Sequence, residues 1–352
     1  MSLLHSFFYP ETIKAFKKVI AIDPDCAMAY WGVAMSQRPN PLVRPFLPAA
    51  LAAGEQAILQ GLALAPPTQR ERDWLAAAEP FFKDAGSRDQ QTRSTLYEQA
   101  MERLYRRYPQ DTEAAVFYAL ALNENADPAD KTYRKQRQAA TILERVRKLE
   151  PDHPGVLHYL IHSYDYPELA SRGVSAADRY AGVAAGAPHA LHMPSHTYTI
   201  LGLWPKSIAS NLAALAAARR YAAQHNSPGV ADPTEPHFLD FLETDYLQLG
   251  EDRQARRVRD EAASLQRFSS VRPTVDSGLA AIPARYVLER GAWAEAARLE
   301  TRPSQFPYAR AITAFARALG AAQTGDVAAA GADIVQLRAA RDADQVVPGQ
   351  QY

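Results

Sequence analysis

The sequence predicts an all-α fold, a solenoid of antiparallel helix pairs. Three observations lead to this prediction. Apolar residues recur at helical spacing along the chain, and alternating strand patterns are absent from it. Helical stretches follow one another in pairs across short turns marked by Pro or Gly. The paired unit then recurs, which is the sequence signature of stacked repeats that share one continuous core.

The first helix pairs are separated by prolines. In each of three stretches, an apolar-periodic helix ends at a proline and a second such helix starts soon after: 11–35, 95–122 and 139–164. Later pairs pass through a glycine, which permits a left-handed cap at the end of the first helix: 237–255, 284–297 and 315–330. The 352 residues therefore predict a single helical repeat domain over 1–352.

Two stretches depart from the repeat. The segment 36–50 holds four prolines, and 225–236 is also rich in turn residues, so both are predicted to be loops. Long loops in a repeat array often fold over one face and carry function. The tail 341–352 is predicted to be frayed.

This pattern resembles the tetratricopeptide repeat (TPR) superfamily over nearly the full length, with its A-x3-F and terminal proline. The chain also resembles a narrower bacterial TPR subfamily, to which we attach no activity. The segments that carry this second resemblance are DPDCAMAYWGVAMS at 23–36, LHYLIHSYD at 157–165 and HALHMPSHTY at 189–198. The resemblance implies a right-handed superhelix in which the first helix of each pair lines a concave groove.

Composition argues against two classes of partner. Lys plus Arg and Asp plus Glu are both 39, and no basic stripe suggests nucleic acid. No apolar run is long enough to span a bilayer, so no membrane partner is expected. Cys26 is the only cysteine, which excludes an internal disulfide and a thiolate cluster. The start of the sequence lacks a secretory pattern, so we expect a cytoplasmic protein; a periplasmic one stays open if a segment precedes it.

The histidines are concentrated in one region. Six of the nine lie between His153 and His196. His158 and His162 share one helix face at i and i+4, as do His192 and His196, with His189 three residues before His192. Each member of the first pair precedes its counterpart in the second by 34 residues, one repeat period. The two pairs are therefore predicted to occupy equivalent places on successive first helices.

This arrangement predicts a transition-metal site. Neighbouring helices pack roughly 8–10 Å apart, so His158, His162, His192 and His196 could hold one ion, with His189 adjacent. An all-nitrogen set suits Zn, Cu, Fe or Ni. A histidine-lined site for an anion, or a pH-sensitive groove, is the alternative, and ordinary packing of the histidines is a third.

Register relative to prolines and closing glycines predicts further residues that face the same groove: Met28, Trp31, Met35, His237 and Asp240, with Arg285 as a further candidate. Ordinary core packing is the alternative for Met28, Trp31 and Met35. His5 and His237 are considered as outer ligands, while His153 and His225 are expected to be solvated in loops. The H-E-x-x-H motif is absent, since Tyr159 and Met193 follow the first histidines. Catalytic residues stay unknown, with these candidates: Asp165, Asp240, Glu235 and Arg285.

Pro194 lies six residues into the predicted helix that starts at Pro188. An interior proline removes a backbone hydrogen bond and should kink the helix. We expect this kink to direct His189 and His192 relative to His196. The alternative is that a helix starts near Pro194.

The sequence leaves three functions open. In the first, the groove binds a metal ion; metal-dependent chemistry on a small molecule or peptide, and with it enzyme activity, is left open. In the second, the protein is a non-catalytic TPR module that binds a peptide, although such a clamp would favour Lys, Arg and Asn on the groove. In the third, it is a metal store or sensor.

Overall fold

A computed structural model describes residues 1–38, 40–42, 46–270 and 272–345. Within these residues the chain is α-helical, without a strand; a single parallel bridge joins Ala231 to Phe268. The chain divides into two compact units, Met1–Leu201 and Gly202–Tyr352. We call them unit 1 and unit 2.

Unit 1 consists of α-helices and one 3-10 turn. In chain order they are α1 (Ser2–His5), α2 (Tyr9–Ile22), α3 (Ala27–Met35), α4 (Pro48–Ala63), α5 (Gln69–Phe82), α6 (Gln90–Arg107), α7 (Thr112–Glu124), α8 (Arg134–Leu149), α9 (Pro154–Ser163), the 3-10 turn (Ala170–Gly173), α10 (Val174–Val183), α11 (Pro188–His192) and α12 (Pro194–Ile200). Each longer helix packs on the next, and α3 also packs on α5, α7 on α9, and α9 on α12. This is the neighbour pattern of stacked helix pairs.

Unit 1 encloses a large aromatic core. The rings of Trp31, Trp74 and Phe117 meet edge to face, with centroids 5.1 to 5.7 Å apart. Gly54 lets α4 approach α5 closely, because a Cβ atom there would lie 2.1 Å from the Phe82 ring. Burial of this apolar surface is the main driving force that holds α3, α5 and α7 together.

Unit 2 follows the same plan with smaller side chains. Its helices are α13 (Trp204–His225), α14 (Glu235–Gln248), α15 (Asp252–Ser264), α16 (Pro273–Glu289), α17 (Trp293–Ala296), α18 (Pro307–Gln323) and α19 (Val327–Gln345). Here α14 packs on α16, and α16 on α18. The turns at Gly250, Gly291 and Gly325 have φ values of 71°, 61° and 84°, which is the left-handed conformation expected of closing glycines.

The predicted all-α fold of helix pairs is confirmed, while two predicted boundaries shift. The first loop ends before residue 48, because Pro48 has the fixed φ that suits the first turn of α4. The second loop is shorter than 225–236, since His225 still belongs to α13 and Glu235 begins α14. Residues 341–345 belong to α19, and 346–352 lie outside the described residues, so the frayed tail over 341–352 stays a prediction. The single domain over 1–352 stays a prediction.

Candidate metal centre

The five clustered histidines of unit 1 come from three helices. His158 and His162 lie on α9, His189 and His192 on α11, and His196 on α12. The helical path is interrupted at Met193, which keeps helical angles (φ −52°, ψ −36°) between the end of α11 and Pro194 at the start of α12. Both interpretations of Pro194 therefore describe part of the structure: it starts a helix, and it interrupts a longer helical path.

The ring nitrogens of these histidines face one another. His158 Nε2 is 3.0 Å from His162 Nε2 and 3.1 Å from His189 Nε2. These three residues each offer one ligand atom within 4.8 Å of the others, so the group could hold a metal ion. His192 Nε2 is likewise 3.0 Å from His196 Nε2. The structure thus brings all five residues into one cluster.

The grouping differs in one respect from the arrangement expected from spacing. His189 was expected beside an ion held by the two i, i+4 pairs, but its Nε2 approaches His158 directly. The pair on α11 and α12 forms a neighbouring set, with ring centroids 6.1 Å from His162 to His196 and 6.0 Å from His189 to His192. The period of the repeat predicts which helices meet, but it does not predict that His189 approaches His158 more closely than His196 does.

Hydrogen bonds on the opposite side of two rings fix their tautomers. His158 Nδ1 donates to the carbonyl oxygen of His5 at 2.5 Å. A carbonyl oxygen can only accept, so the neutral His158 ring keeps its lone pair on Nε2, toward the cluster. His196 Nδ1 lies 2.8 Å from Asp165 Oδ2, and the same argument applies. This outer support is the kind that orients histidine ligands in metal sites.

Burial keeps the central rings neutral. His158 and His192 are fully buried. Burial lowers the pKa of His158 to about 3, and burial followed by the neighbouring His158 holds the pKa of His162 well below its usual range. Neutral imidazole is the form that binds a metal. Without an ion, the Nε2 lone pair of His158 can accept an N–H from His162 or His189; if the other two rings place their protons on Nδ1, all three Nε2 lone pairs are available to one cation.

A second cluster, His5, Glu113 and His153, also has ligand atoms within 4.8 Å of one another. Here complementary hydrogen bonds account for each ring nitrogen. His5 Nε2 donates to Glu113 at 2.9 Å, and His5 Nδ1 accepts from the Tyr159 hydroxyl at 3.1 Å. His153 Nδ1 accepts from the backbone N–H groups at the start of α9, and its Nε2 lies 3.5 Å from Glu113. We therefore assign this cluster a structural role.

This second cluster corrects the expectation that His153 is solvated, and it includes a contact of His5 that the sequence analysis did not predict. The His153 side chain is only 8% exposed, not solvated in a loop, because it caps α9 at its N-terminus. The sequence did contain a signal for this capping role, since His153 directly precedes Pro154 and proline is common at the first position of a helix. His5 contacts α9 across more than 150 residues of sequence, so spacing arguments had no means of placing it.

The remaining candidates lie in other surroundings. Trp31 and Met35 are 3% and 4% exposed within the core, which accounts for them without a groove, and Met28 is half-buried beside it. In unit 2, Asp240 pairs with Arg285, and the buried Glu235 accepts from Arg219. His237 lies on α14, also in unit 2. Roles for these residues in the groove or in catalysis stay predictions.

No helix among the described residues combines the length and apolar character needed to cross a bilayer.

No protein-family model matches the sequence, and no curated protein matches it. Thirteen chains of solved structures do match. One belongs to "Structure of Naa15/Naa10 bound to HypK-THB", at 14% identity and a TM-score of 0.28, covering 96% of this chain and 57% of that chain. A similarity of that size carries no argument about function. The chain forms packed helix pairs, and its resemblance to the TPR superfamily and to the narrower bacterial subfamily stays a prediction.

Proposed function

We propose that unit 1 binds a transition-metal ion through His158, His162 and His189. The observation that carries this proposal is the convergence of three Nε2 atoms, two of them 3.0 and 3.1 Å from the third. The donor set of neutral imidazoles suits Zn, Cu, Fe or Ni. The His192 and His196 pair beside it offers further nitrogens, with Asp165 holding one ring in place.

The arrangement favours chemistry over storage. Three protein ligands leave a coordination position for water or a substrate, as in catalytic sites and unlike closed structural ones. A metal ion there would polarise a bound carbonyl or lower the pKa of a bound water. We therefore propose metal-dependent chemistry on a small molecule or peptide. A metal store or sensor is the second candidate, since a full set of five histidines could also close around its cargo.

The first test is the metal content of protein purified without a polyhistidine tag. We expect at least one transition-metal ion per chain by elemental analysis, and a rise in melting temperature when the stripped protein receives Zn, Cu, Fe or Ni salts. Absence of metal together with no thermal shift contradicts the proposal and leaves the peptide-binding module.

A double-mutant cycle separates a shared site from isolated histidines. His162 and His189 lie on different helices, so His162→Ala and His189→Ala should each remove most of the metal affinity if they bind one ion. The double variant should then lose little more, because groups that act as a unit are not additive. The control is His225→Ala: this exposed ring on α13 lies 2.9 Å from the carbonyl oxygen of Tyr221 in its own helix and is not one of the proposed ligands, so its loss should leave the metal affinity unchanged. Additive losses, or an equal effect at the control, would argue against a shared ion.

A further inference from the structure

An N-terminal strap, residues 4–9, covers the proposed metal ligands. Helix α1 packs on α9, and the next turn carries Phe7 onto the cluster. The Phe7 ring centroid lies 4.5 Å from that of His158, edge to face. It lies 5.4 Å from His189 and 6.2 Å from His162, with ring planes within 19° and 22° of parallel. One aromatic ring thus contacts all three proposed ligands.

The strap is held in place from several sides. Phe7 has φ 53°, a left-handed conformation that a bulky residue adopts only when its surroundings enforce it. Backbone bonds from Phe7 N to Leu4 O and from Phe8 N to Leu3 O close the turn, at 3.1 and 3.0 Å. The Phe7 ring stacks on Tyr9 at 5.5 Å and is only 8% exposed.

His5 anchors the other end of the strap. Its side chain bonds to Glu113 and Tyr159, while its carbonyl oxygen accepts from His158 Nδ1. Gly155 makes room for this contact, since a Cβ atom there would lie 2.4 Å from His5 Nδ1. The strap therefore fixes one proposed ligand through a backbone carbonyl and packs an aromatic ring against all three.

We propose that Phe7 determines which molecules can bind the metal beside the three histidines. A ring whose centroid lies 4.5 to 6.2 Å from all three ligand rings would restrict the space beside a bound ion, so a small ligand such as water or a triatomic anion should fit there and a planar heterocycle should not. The inference rests on the proposed metal site and narrows its ligand to a small molecule, which excludes the peptide considered above as a substrate. Phe7 acts by occupying space, so its removal should change selectivity more than metal affinity.

The test uses Co²⁺ as the bound ion and visible absorption as the readout. Azide should shift the cobalt bands of the parent protein, whereas imidazole should not. In Phe7→Ala, imidazole should now shift the bands, with a gain of about tenfold or more in its affinity relative to that of azide. Phe7→Gly, which suits the positive φ, repeats the measurement without backbone strain. Phe7→Tyr keeps the ring and should keep the exclusion.

A matched control is Phe16→Ala. This ring packs on Gly32 between α2 and α3, away from the histidines, and its loss should leave both ligand affinities unchanged. If cobalt shows no bound spectrum in the parent or the variants, the proposed metal site itself is wrong. If cobalt binds but imidazole affects the parent and the Phe7→Gly protein equally, the metal site stands and the role of Phe7 is overturned.

Discussion

Glu243 is a fully buried carboxyl group on α14, and neither of its side-chain oxygens has a hydrogen-bond partner in the described part of the chain. Burial raises the pKa of Glu243 to about 9, with Arg285 acting against the shift and Asp240 adding to it. The group is therefore neutral near pH 7. A polar side chain in such surroundings lowers stability whenever the unfolded chain can ionise it and the folded chain cannot.

Replacement of the Glu243 carboxyl group by an amide should reveal how much stability the buried, protonated carboxyl group costs. Between pH 4.5 and 9 the folded protein keeps a proton on Glu243 that the unfolded chain has lost, so the stability of unit 2 falls as pH rises. The slope is up to about 1.4 kcal/mol per pH unit. Glu243→Gln should be more stable than the parent at pH 8, with a difference that shrinks toward pH 4, as measured by urea denaturation. Glu300→Gln, at an exposed position of unit 2 that does not act on Glu243, should show no such dependence. If the carboxyl group of Glu243 ionises normally in the folded protein, Glu243→Gln should show none either.

At the level of elements, the sequence predicted the helices better than it predicted their contacts. Apolar spacing and the Pro and Gly turns were enough for helices such as α8 and α9, because those signals are local. The 34-residue register also brought α9 toward α11 and α12 correctly. The strap was not predicted, since α1 meets α9 through a non-local contact that no period describes. Loop boundaries shifted by a few residues, because proline is compatible with the first helical turn.

The interruption at Met193 gives Pro194 a testable role. Pro194→Ala restores a backbone donor and lets α11 and α12 join, which should recover part of the roughly 3 kcal/mol that an interior proline costs a helix. A straighter path moves His189 relative to His196, so metal affinity should fall in a chelator competition. Pro188→Ala is the matched control, because Pro188 already sits at the first turn of α11, where no bond is missing. Equal metal affinities in the parent and Pro194→Ala would show that the proline does not position ligands.

For the whole molecule, the repeated helical period was enough to predict the fold class, and histidine spacing was enough to predict the cluster. The finer grouping was not predictable. His189 enters the first set through the local path of α11, and His158 owes its tautomer to a backbone carbonyl of the strap. These contacts depend on interatomic distances of about 3 Å, whereas the spacing of residues along the chain predicts only which helices are neighbours. The relation of the cluster to catalysis stays a proposal.

Acid should destabilise the metal-free protein. The folded-state pKa of His158 is lowered to about 3, against 6.5 in the unfolded chain, and the pKa values of His5 and His162 are lowered too. Below pH 6.5 the unfolded chain therefore binds protons that the buried rings do not, and stability falls as pH decreases toward 3. Thermal melts of stripped protein from pH 7.5 to 5 should show a falling midpoint for unit 1. The melting midpoint of His225→Ala should follow that of the parent throughout. A midpoint that stays constant over this pH range would mean that the buried histidines bind protons in the folded protein as readily as in the unfolded chain.

Phe7 has a consequence for how the gene can change. Its backbone, at φ 53°, tolerates few side chains, while its proposed role in excluding larger ligands depends on the aromatic ring that packs against the histidines. Single-base changes in a phenylalanine codon yield Leu, Ile, Val, Ser, Cys or Tyr. Ile and Val are poorly suited to a positive φ, and Leu, Ser and Cys have no ring. Tyrosine is then the one replacement reachable in a single step that keeps both properties, so we expect lineages that retain this site to alternate between these two residues.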